Sequence, residues 1–257
     1  MIRGLYASVS SMINLQARQS VITNNIANIK TNGFKEDKLI SKSFDEMALS
    51  NNDNYQNGKA HHQDLGGVSF GNRIDEVVTN FNQGVFVQTG NKSDFAIDGN
   101  GFFQVRDNNG KVFYSRDGSF KVDSQGYLVT NAGYNVIGEN TLTGVQEPIY
   151  VGSKKMTTSA PNELIIEGGG RYRFSIVDFN DYKSIKKVGD NLYSGDNIKN
   201  TNNYFIKQGF VEGSNVDYIS AATDMMETLR EFEANQRVIQ TIDSTLRQIA
   251  NEIGSVR

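Results

Sequence analysis

Cysteine is absent from the 257-residue sequence, so disulfide bonds, thiolate nucleophiles and cysteine-ligated zinc or iron–sulfur sites are excluded. The chain has two histidines, His61 and His62, and they are adjacent. Adjacent side chains point in different directions on a helix or a strand, so a solvated loop is a better interpretation of this pair than a metal site. A Ser-His-Asp triad would have to use one of the same two residues. We therefore expect no metal, no cofactor and no catalytic triad.

Charge of one sign and long apolar runs are also lacking. Lys and Arg number 26 against 29 Asp and Glu, which gives no electrostatic case for nucleic acid. No apolar run approaches the roughly 20 residues of a membrane span. Polar residues such as Ser8, Ser11 and Asn14 interrupt any signal-peptide core. We expect no nucleic-acid partner, no membrane insertion, and either a cytoplasmic location or a secretion route without a cleaved signal.

Ligand-binding loops and catalytic carboxylates are weakly indicated. Gln104 stands where the third glycine of a dinucleotide fingerprint beginning at Gly99 would be, and Arg171 follows the glycines 168–170 where a phosphate loop needs Gly-Lys. The acidic residues that crowd one region each precede or flank a turn residue, where aspartate usually bonds its own backbone. They are Asp94, Asp98, Asp107, Asp117 and Asp123. This favours a turn role over a glycosidase pair.

The N-terminal residues show the seven-residue spacing of an amphipathic helix. One row holds Leu5, Met12 and Ile26, and the next holds Leu15, Ile22 and Ile29, with gaps at Gln19 and Ser8. We predict a helix through about residue 30. Gly33 would then be the left-handed residue of a Schellman cap, in which Phe34 packs on Ile29.

The C-terminal residues show a longer stripe. Seven-residue spacing joins Met225, Phe232, Ile239, Leu246 and Ile253, with Leu229, Ile242 and Ile249 beside them. Neither Pro nor Gly intervenes from about residue 217 to 253, which predicts a helix about 55 Å long. The first 30 residues hold three basic residues and no acid, whereas residues 212–257 hold four arginines and eight acids. Opposite charge and matching stripes predict a coiled coil between the two ends, the alternative being that each helix packs separately on the central domain.

Short β-rich runs separated by turn dipeptides predict an antiparallel β-domain between the helices. The fold class is therefore α+β, with the β-rich domain inserted between long terminal helices. We divide the chain into an N-terminal coiled-coil helix (1–35), a polar arm with extended segments (36–90), the β-domain (91–211) and a C-terminal coiled-coil helix (212–257). Residues 50–67 read as a linker or mobile arm. We expect a fragment of about 70–212 to fold alone.

Three stretches carry a family resemblance. They are residues 24–35 (NNIANIKTNGFK), residues 98–103 and 114–120 (DGNGFF and YSRDGSF), and residues 213–217 with 230–243 (GSNVD and REFEANQRVIQTID). In this order and spacing they resemble the bacterial flagellar axial proteins, and the basal-body rod proteins in particular. The resemblance implies a non-enzymatic subunit that is exported through the flagellar channel, partners with itself and other rod and hook subunits, and lies in the flagellar basal body.

The same resemblance implies a helical polymer in which the paired terminal helices form the inner tube. A buried Asn between helices costs stability but specifies register, which suits Asn24, Asn25 and Asn28. The alternative function is a secreted β-domain that binds glycan through exposed Phe102, Phe103 and Tyr114, although a core role for these aromatics is the better interpretation. We predict an assembly interface of Leu5, Met12, Ile22, Asn24, Asn25, Ile26, Asn28, Gly33, Phe34, Met225, Leu229, Phe232, Asn235, Ile239, Ile242 and Leu246.

Overall fold

The computed structural model describes residues 2–56, 59–159, 162–168, 170–201 and 203–255. The fold class is α+β, as predicted. Helix α1 spans Ile2–Ala27 and helix α2 spans Tyr218–Ser255. The strands are β1 (Asp37–Ser43), β2 (Met47–Gln56), β3 (Lys59–Val68), β4 (Asn72–Thr79), β5 (Phe86–Gln88), β6 (Phe95–Gly99), β7 (Phe102–Arg106), β8 (Val112–Ser115), β9 (Phe120–Val122), β10 (Leu128–Thr130), β11 (Asn135–Asn140), β12 (Gln146–Pro148), β13 (Met156–Ser159), β14 (Glu163–Ile166), β15 (Gly170–Phe174), β16 (Ile176–Phe179), β17 (Lys186–Gly189), β18 (Leu192–Ser194), β19 (Ile198–Asn200), β20 (Tyr204–Gln208) and β21 (Phe210–Glu212).

The chain forms two compact units, and each unit is built from segments that are separated along the sequence. The helical unit comprises the described parts of Met1–Ile26, Asp37–Thr79 and Tyr218–Arg257, and the β-rich unit comprises Ala27–Glu36 and Asn80–Asp217. The four-part division drawn from the sequence stays a prediction. The segment that follows α1 nevertheless belongs to the β-rich unit, which no compositional signal indicated.

In the helical unit, α1 and α2 lie beside each other. The Asn235 Nδ2 atom donates a hydrogen bond to Ser11 Oγ at 3.2 Å. Seven residues earlier on α1, a Cβ built on Gly4 would lie 4.0 Å from the Cδ1 atom of Ile242, which is seven residues later on α2. A lower residue number on α1 pairs with a higher residue number on α2, so the two helices run antiparallel at these contacts.

Two antiparallel pairs of strands complete the helical unit. Strand β1 pairs with β4, and β2 pairs with β3, both antiparallel. Residues 50–67, which we expected to be a linker, fall largely in β2 and β3. Polar neighbours face each other there, as Ser50 does Asp64 and Asn51 does Gln63. Backbone hydrogen bonds can pair such strands without apolar side chains. These strands therefore lack the alternation of apolar and polar residues by which a strand is predicted from sequence.

The β-rich unit contains, within the described residues, a sheet of 13 strands with the main order β13-β14-β15-β11-β7-β8-β18-β17. Strands β7 to β10 occur where the turn dipeptides predicted them. Their apolar side chains, among them Phe103 and Phe120, pack with Phe95 of β6 in one core. The rings of Phe103 and Phe120 pack edge to face with centroids 5.1 Å apart, which is a favoured aromatic geometry.

The aromatics considered for a sugar platform lie inside the β-rich unit. Phe102, Phe103 and Tyr114 are all buried, and the Phe102 ring packs edge to face on Phe179 with centroids 5.4 Å apart. A buried ring cannot stack on a sugar, so the platform considered for the glycan-binding alternative is wrong. The core interpretation is confirmed.

Candidate functional site

The segment after α1 forms two tight turns instead of a continued helix. Helix α1 ends at Ala27. The backbone N–H of Thr31 donates to the Asn28 carbonyl oxygen at 3.0 Å, and the N–H of Phe34 donates to the Thr31 carbonyl oxygen at 3.3 Å. The Asn28 side chain accepts from the Thr31 hydroxyl at 3.2 Å. Local side-chain bonds of this kind compete with helix, which explains why α1 ends before residue 30.

Gly33 has the left-handed backbone that we predicted, but the Schellman cap is wrong. Its φ is +69°, and its N–H donates to the carbonyl oxygen of Glu212 at 2.7 Å instead of to the last turn of α1. A Cβ at this position would lie 2.6 Å from the carbonyl carbon of Arg116. Glycine is therefore required both by the φ value and by a close approach of two backbones.

Next to Gly33 lies a cluster of three buried charged side chains from distant parts of the chain. The Lys35 Nζ atom lies 2.5 Å from Glu212 Oε1, and both side chains have 0% exposure. The Arg116 Nη1 atom lies 3.0 Å from Glu212 Oε2, and Arg116 is buried. We call Lys35, Arg116 and Glu212 the ion cluster. Buried charges of this kind are tolerated only when they are paired and hydrogen-bonded.

Backbone groups give the ion cluster further hydrogen bonds, although the buried Nε atom of Arg116 has no hydrogen-bond partner among the described residues. Lys35 Nζ donates to the Asn82 carbonyl oxygen at 2.8 Å, and Glu212 Oε1 accepts from the Gly84 N–H at 2.9 Å. The Arg116 Nη2 atom donates to the Gly99 carbonyl oxygen at 2.8 Å. Burial lowers the pKa of Lys35 below its usual value, because desolvation of the ammonium outweighs the attraction of the Glu212 carboxylate.

Asn215 also binds the segment after α1. Its Oδ1 atom accepts from the Glu36 N–H at 2.8 Å, and its Nδ2 atom donates to the Asn80 carbonyl oxygen at 2.8 Å. Lys187 on β17 binds the same segment. Its Nζ atom donates to the Lys35 carbonyl oxygen at 2.8 Å and lies 4.6 Å from the Phe34 ring centroid. The segment after α1 and the segment before α2 are thus joined through the β-rich unit.

Asn25 has a role that the helix-register hypothesis did not anticipate. It is buried, and its amide exchanges two hydrogen bonds with the backbone of Asp37, at 2.8 and 3.0 Å. These bonds lead to strand β1 instead of to α2. Asn24 is exposed and Asn28 is half-buried.

The structure buries the predicted interface residues to different degrees. Ile22, Asn25, Gly33 and Phe34 are buried, Asn24, Leu229 and Leu246 are exposed, and the half-buried set is Leu5, Met12, Ile26, Asn28, Met225, Phe232, Asn235, Ile239 and Ile242. The predicted interface omits Ser8, Asn14, Leu15 and Thr228, which are buried, although Leu15 was placed on an apolar row of the N-terminal helix. Ser8 was read as a gap in an apolar row. A small side chain permits a short distance between helix axes, so small polar residues at the row positions were the available signal.

No group of three or more metal-ligating residues exists among the described residues. The side chains of His61 and His62 lie outside the described part of the chain. The turn role of the acidic residues is confirmed for Asp123, which accepts from the backbone of Gln125 and Tyr127, and for Asp117, which accepts from Ser119 at 2.9 Å. None of the described helices is long and apolar enough to span a membrane.

Three family models match this chain. They are described as flagella basal body rod protein (residues 5–35), flagellar hook protein FlgE/F/G D1 domain (residues 96–161) and flagellar basal body rod FlgEFG protein C-terminal (residues 207–252). All of the stretches that carried the resemblance overlap these matches. The ion cluster takes Lys35 from the first match and Glu212 from the third, and Arg116 from the second.

Similar proteins cover nearly the whole chain. The flagellar hook-basal body complex protein FlhO of Bacillus subtilis is 32% identical over 100% of both chains. The flagellar basal-body rod protein FlgG of Agrobacterium fabrum is 32% identical over 94% of this chain and 95% of its own. The flagellar basal-body rod protein FlgF of Caulobacter vibrioides is 30% identical over 98% of both.

Proposed function

Because this chain belongs to the family of flagellar basal-body rod proteins, we propose that it is built into the rod through its two terminal helices, paired with each other as a coiled coil. The chain is a structural subunit of the flagellar basal body. The pairing, the interface residues and the neighbouring subunits are the parts that this proposal adds.

Two observations within the helical unit support the pairing. The contacts of Ser11 with Asn235 and of Gly4 with Ile242 are separated by seven residues on each helix, which is the repeat of a coiled coil. The described part of α1 carries basic side chains and no acid, whereas α2 carries several acids, Glu227 and Glu231 among them. Charges of opposite sign favour this partner over self-pairing of either helix.

The observation that carries the proposal is the incomplete cover of α2. The helix has 38 residues and α1 has 26. Among its described side chains Thr228 alone is buried, and Leu229 and Leu246 on the apolar stripe are each 40% exposed. Since apolar stripes of this length are rarely left open in monomeric proteins, neighbouring subunits are the natural cover.

The proposed assembly interface contains the predicted residues, but it assigns them to different contacts. The half-buried positions of α1 and α2 form the seam, and Leu229 and Leu246 reach a neighbouring subunit. Gly33 and Phe34 act indirectly, because they fasten the segment after α1 to the β-rich unit. In the assembled rod such a subunit transmits torque by stiffness, and it reaches the rod through the flagellar export apparatus without a cleaved signal.

A substitution on the seam tests the proposal. Phe232→Asp and Ile239→Asp each place a charge where the partner helix packs, and burying an unpaired carboxylate is strongly unfavourable. We expect strains carrying either variant to lack flagella. Thermal unfolding of the β-rich unit, followed by the near-UV circular dichroism of its buried tyrosines, should be the same as in the wild type.

Arg247→Ala is the matched control, because Arg247 pairs with Asp243 on the exposed surface of the same helix. Strains with this variant should swim. Normal swimming of the Phe232→Asp strain, or unfolding of the β-rich unit by that substitution, would remove the support for an assembly seam on α2.

A further inference from the structure

Two segments of the β-rich unit lie side by side and run in the same direction. The Gly33 N–H donates to the Glu212 carbonyl oxygen at 2.7 Å, and the Asn215 N–H donates to the Phe34 carbonyl oxygen at 3.4 Å. The lower residue number of one segment thus meets the lower residue number of the other, and the higher meets the higher. We call residues 33–36 and 212–215 the paired segments.

The parallel direction decides how the paired segments respond to a force along the chain. The first of them follows α1, and the second precedes α2. A force that pulls the chain before Gly33 and the chain after Asn215 in opposite directions therefore slides one segment along the other. Because bonds between neighbouring segments run across the chain direction, sliding loads all of them together, whereas separating the segments from one end breaks them one after another.

The ion cluster opposes this sliding. Lys35 belongs to the first paired segment and Glu212 to the second, and neither side chain has any exposed surface. A slip of one residue moves the chain by up to about 3.8 Å, which is enough to separate the two charges inside the protein. A buried charge without its partner is strongly unfavourable, so the slip has a high barrier.

The backbone at Arg116 is a steric stop in the same direction. A Cβ on Gly33 would lie 2.6 Å from the Arg116 carbonyl carbon, so this place in the structure accepts only glycine. A pull on α1 draws Phe34 towards the place of Gly33. Since Phe34 carries both a Cβ and a ring, it cannot pass unless the two backbones separate.

Other elements of the β-rich unit hold the start and the end of the same stretch of chain. The Asn191 Nδ2 atom, just before β18, donates to the Asn32 carbonyl oxygen at 2.8 Å. The Asn80 N–H, just after β4, donates to the Glu36 carbonyl oxygen at 2.8 Å. The first paired segment is thus fixed at both of its ends, and it cannot move without breaking several contacts at once.

We infer that the paired segments form a mechanical clamp, which resists a force that slides them along each other and yields to a force that separates them from one end. Its biological use rests on the proposed function, because a rod subunit that transmits torque is loaded through its terminal helices. The clamp then carries that load between the end of α1 and the start of α2 within one subunit.

Single-molecule pulling of the full chain tests the clamp. Because the sequence has no cysteine, two introduced cysteines define the points of attachment. Lys30→Cys with Tyr218→Cys slides the paired segments along each other, whereas Lys38→Cys with Tyr218→Cys separates them from their C-terminal ends. All three positions are exposed.

We expect a severalfold higher unfolding force in the sliding geometry, because forced unfolding reports the barrier along the direction of pulling. Glu212→Gln should lower the ratio of the two forces, since it removes the anion that a slip would leave unpaired. Glu163→Gln is the matched control, because its ion pair is partly exposed, and it should leave the ratio unchanged. A variant that only destabilises the β-rich unit would lower both forces alike.

Phe34→Ala and Phe34→Gly test the steric stop. Both variants lose the ring, but only glycine lacks the Cβ that meets the backbone at Arg116, so the ratio should be lower for Phe34→Gly. Equal unfolding forces in the two geometries, or a ratio that Glu212→Gln leaves unchanged, would overturn the clamp, and equal ratios for the two Phe34 variants would overturn the stop. These outcomes do not affect the proposed seam on α2, which is tested separately by the motility of the Phe232→Asp strain.

Discussion

The segment after α1 and the helix pair are neighbours along the chain, yet they bury their side chains in different ways. Lys35 and Glu212 have no exposed surface and meet their partners inside one chain. On α2, by contrast, the described apolar stripe is half-buried at best, and Leu229 and Leu246 are exposed. Contacts of the first kind are complete in the monomer, and those of the second kind leave apolar surface for another molecule. The comparison separates what holds the subunit together from what is available for assembly.

The largest effect is expected from Glu212→Gln, which keeps the shape of the side chain but removes the anion between Lys35 and Arg116. Removing one partner of a buried ion pair costs about 3–5 kcal/mol, because the other charge stays buried without compensation. We expect urea unfolding of the β-rich unit, followed by the near-UV signal of its buried tyrosines, to show a loss of this size.

Glu163→Gln is the matched control, since Glu163 lies 3.9 Å from Arg173 with both side chains partly exposed. Its loss should stay under about 1 kcal/mol. Equal losses in the two variants would mean that burial does not distinguish the ion cluster from a surface pair.

Gly33→Val should destabilise the β-rich unit by two separable mechanisms. A non-glycine residue at positive φ costs on the order of 1–3 kcal/mol, and overlap with the backbone at Arg116 and Asp117 adds about 1–3 kcal/mol more. Gly110→Val separates them, because Gly110 also has positive φ (+84°) but a Cβ there meets nothing within 4 Å.

We therefore expect Gly33→Val to lower the unfolding free energy more than Gly110→Val does, and to reduce motility as a consequence. A Gly33→Val protein as stable as Gly110→Val would show that the two backbones can separate without cost.

Asp117 tests a half-buried carboxylate that lacks the pairing of Glu212. Burial raises its pKa from 3.8 to about 6, and the nearby Asp94 carboxylate acts in the same direction. The folded state then binds more protons than the unfolded state between these values, so stability contributed by this group is present below about pH 4 and is lost as pH rises through 6.

Asp117→Asn keeps an acceptor for the Ser119 N–H and removes the titration. At pH 7 we expect the variant to be more stable than the wild type by up to about 3 kcal/mol, from 1.36 kcal/mol per pKa unit. Thermal melts at pH 4 and pH 7 measure the difference, which should vanish at pH 4. An equal gain at both pH values would assign the effect to something other than ionisation.

The smallest effect is expected from Arg247→Ala in the helical unit. Its partner Asp243 lies 3.0 Å away, but both side chains are largely exposed. Exposed pairs one helical turn apart contribute about 0.3–0.5 kcal/mol, so the thermal midpoint should change by no more than a few degrees. A loss comparable with that of Glu212→Gln would mean that this surface is buried in the protein as it exists in solution, and would extend the assembly seam to it.

Prediction from sequence succeeded where local pattern decides structure. The stripe from Met225 to Leu246 predicted α2, and turn dipeptides predicted strands β7 to β10. It failed for residues 50–67, where β2 and β3 pair through polar residues. It also placed the β-domain fragment at about 70–212, whereas the β-rich unit includes Ala27–Glu36. A fragment that lacks Lys35 leaves the ion cluster incomplete.

The candidate site divides in the same way. Gly33 and Phe34 stood out in the sequence because their motif resembled a family element, and the left-handed glycine followed from its position after a helix. The partners of that glycine did not follow, because Arg116 and Glu212 are separated from it by 83 and 179 residues. Asn25 likewise carried no sign that its amide would bond Asp37 in place of the other helix.

The amino-acid sequence by itself determined the two helices, the antiparallel β-rich middle, and membership of the flagellar rod family, because periodicity, turn chemistry and motifs are local properties. Tertiary structure alone decided that Lys35, Arg116 and Glu212 share one buried cluster, and that the apolar stripe of α2 stays half-buried or exposed. Charge pairing and exposure depend on which distant residues exclude water from each other, and that is a property of the folded chain.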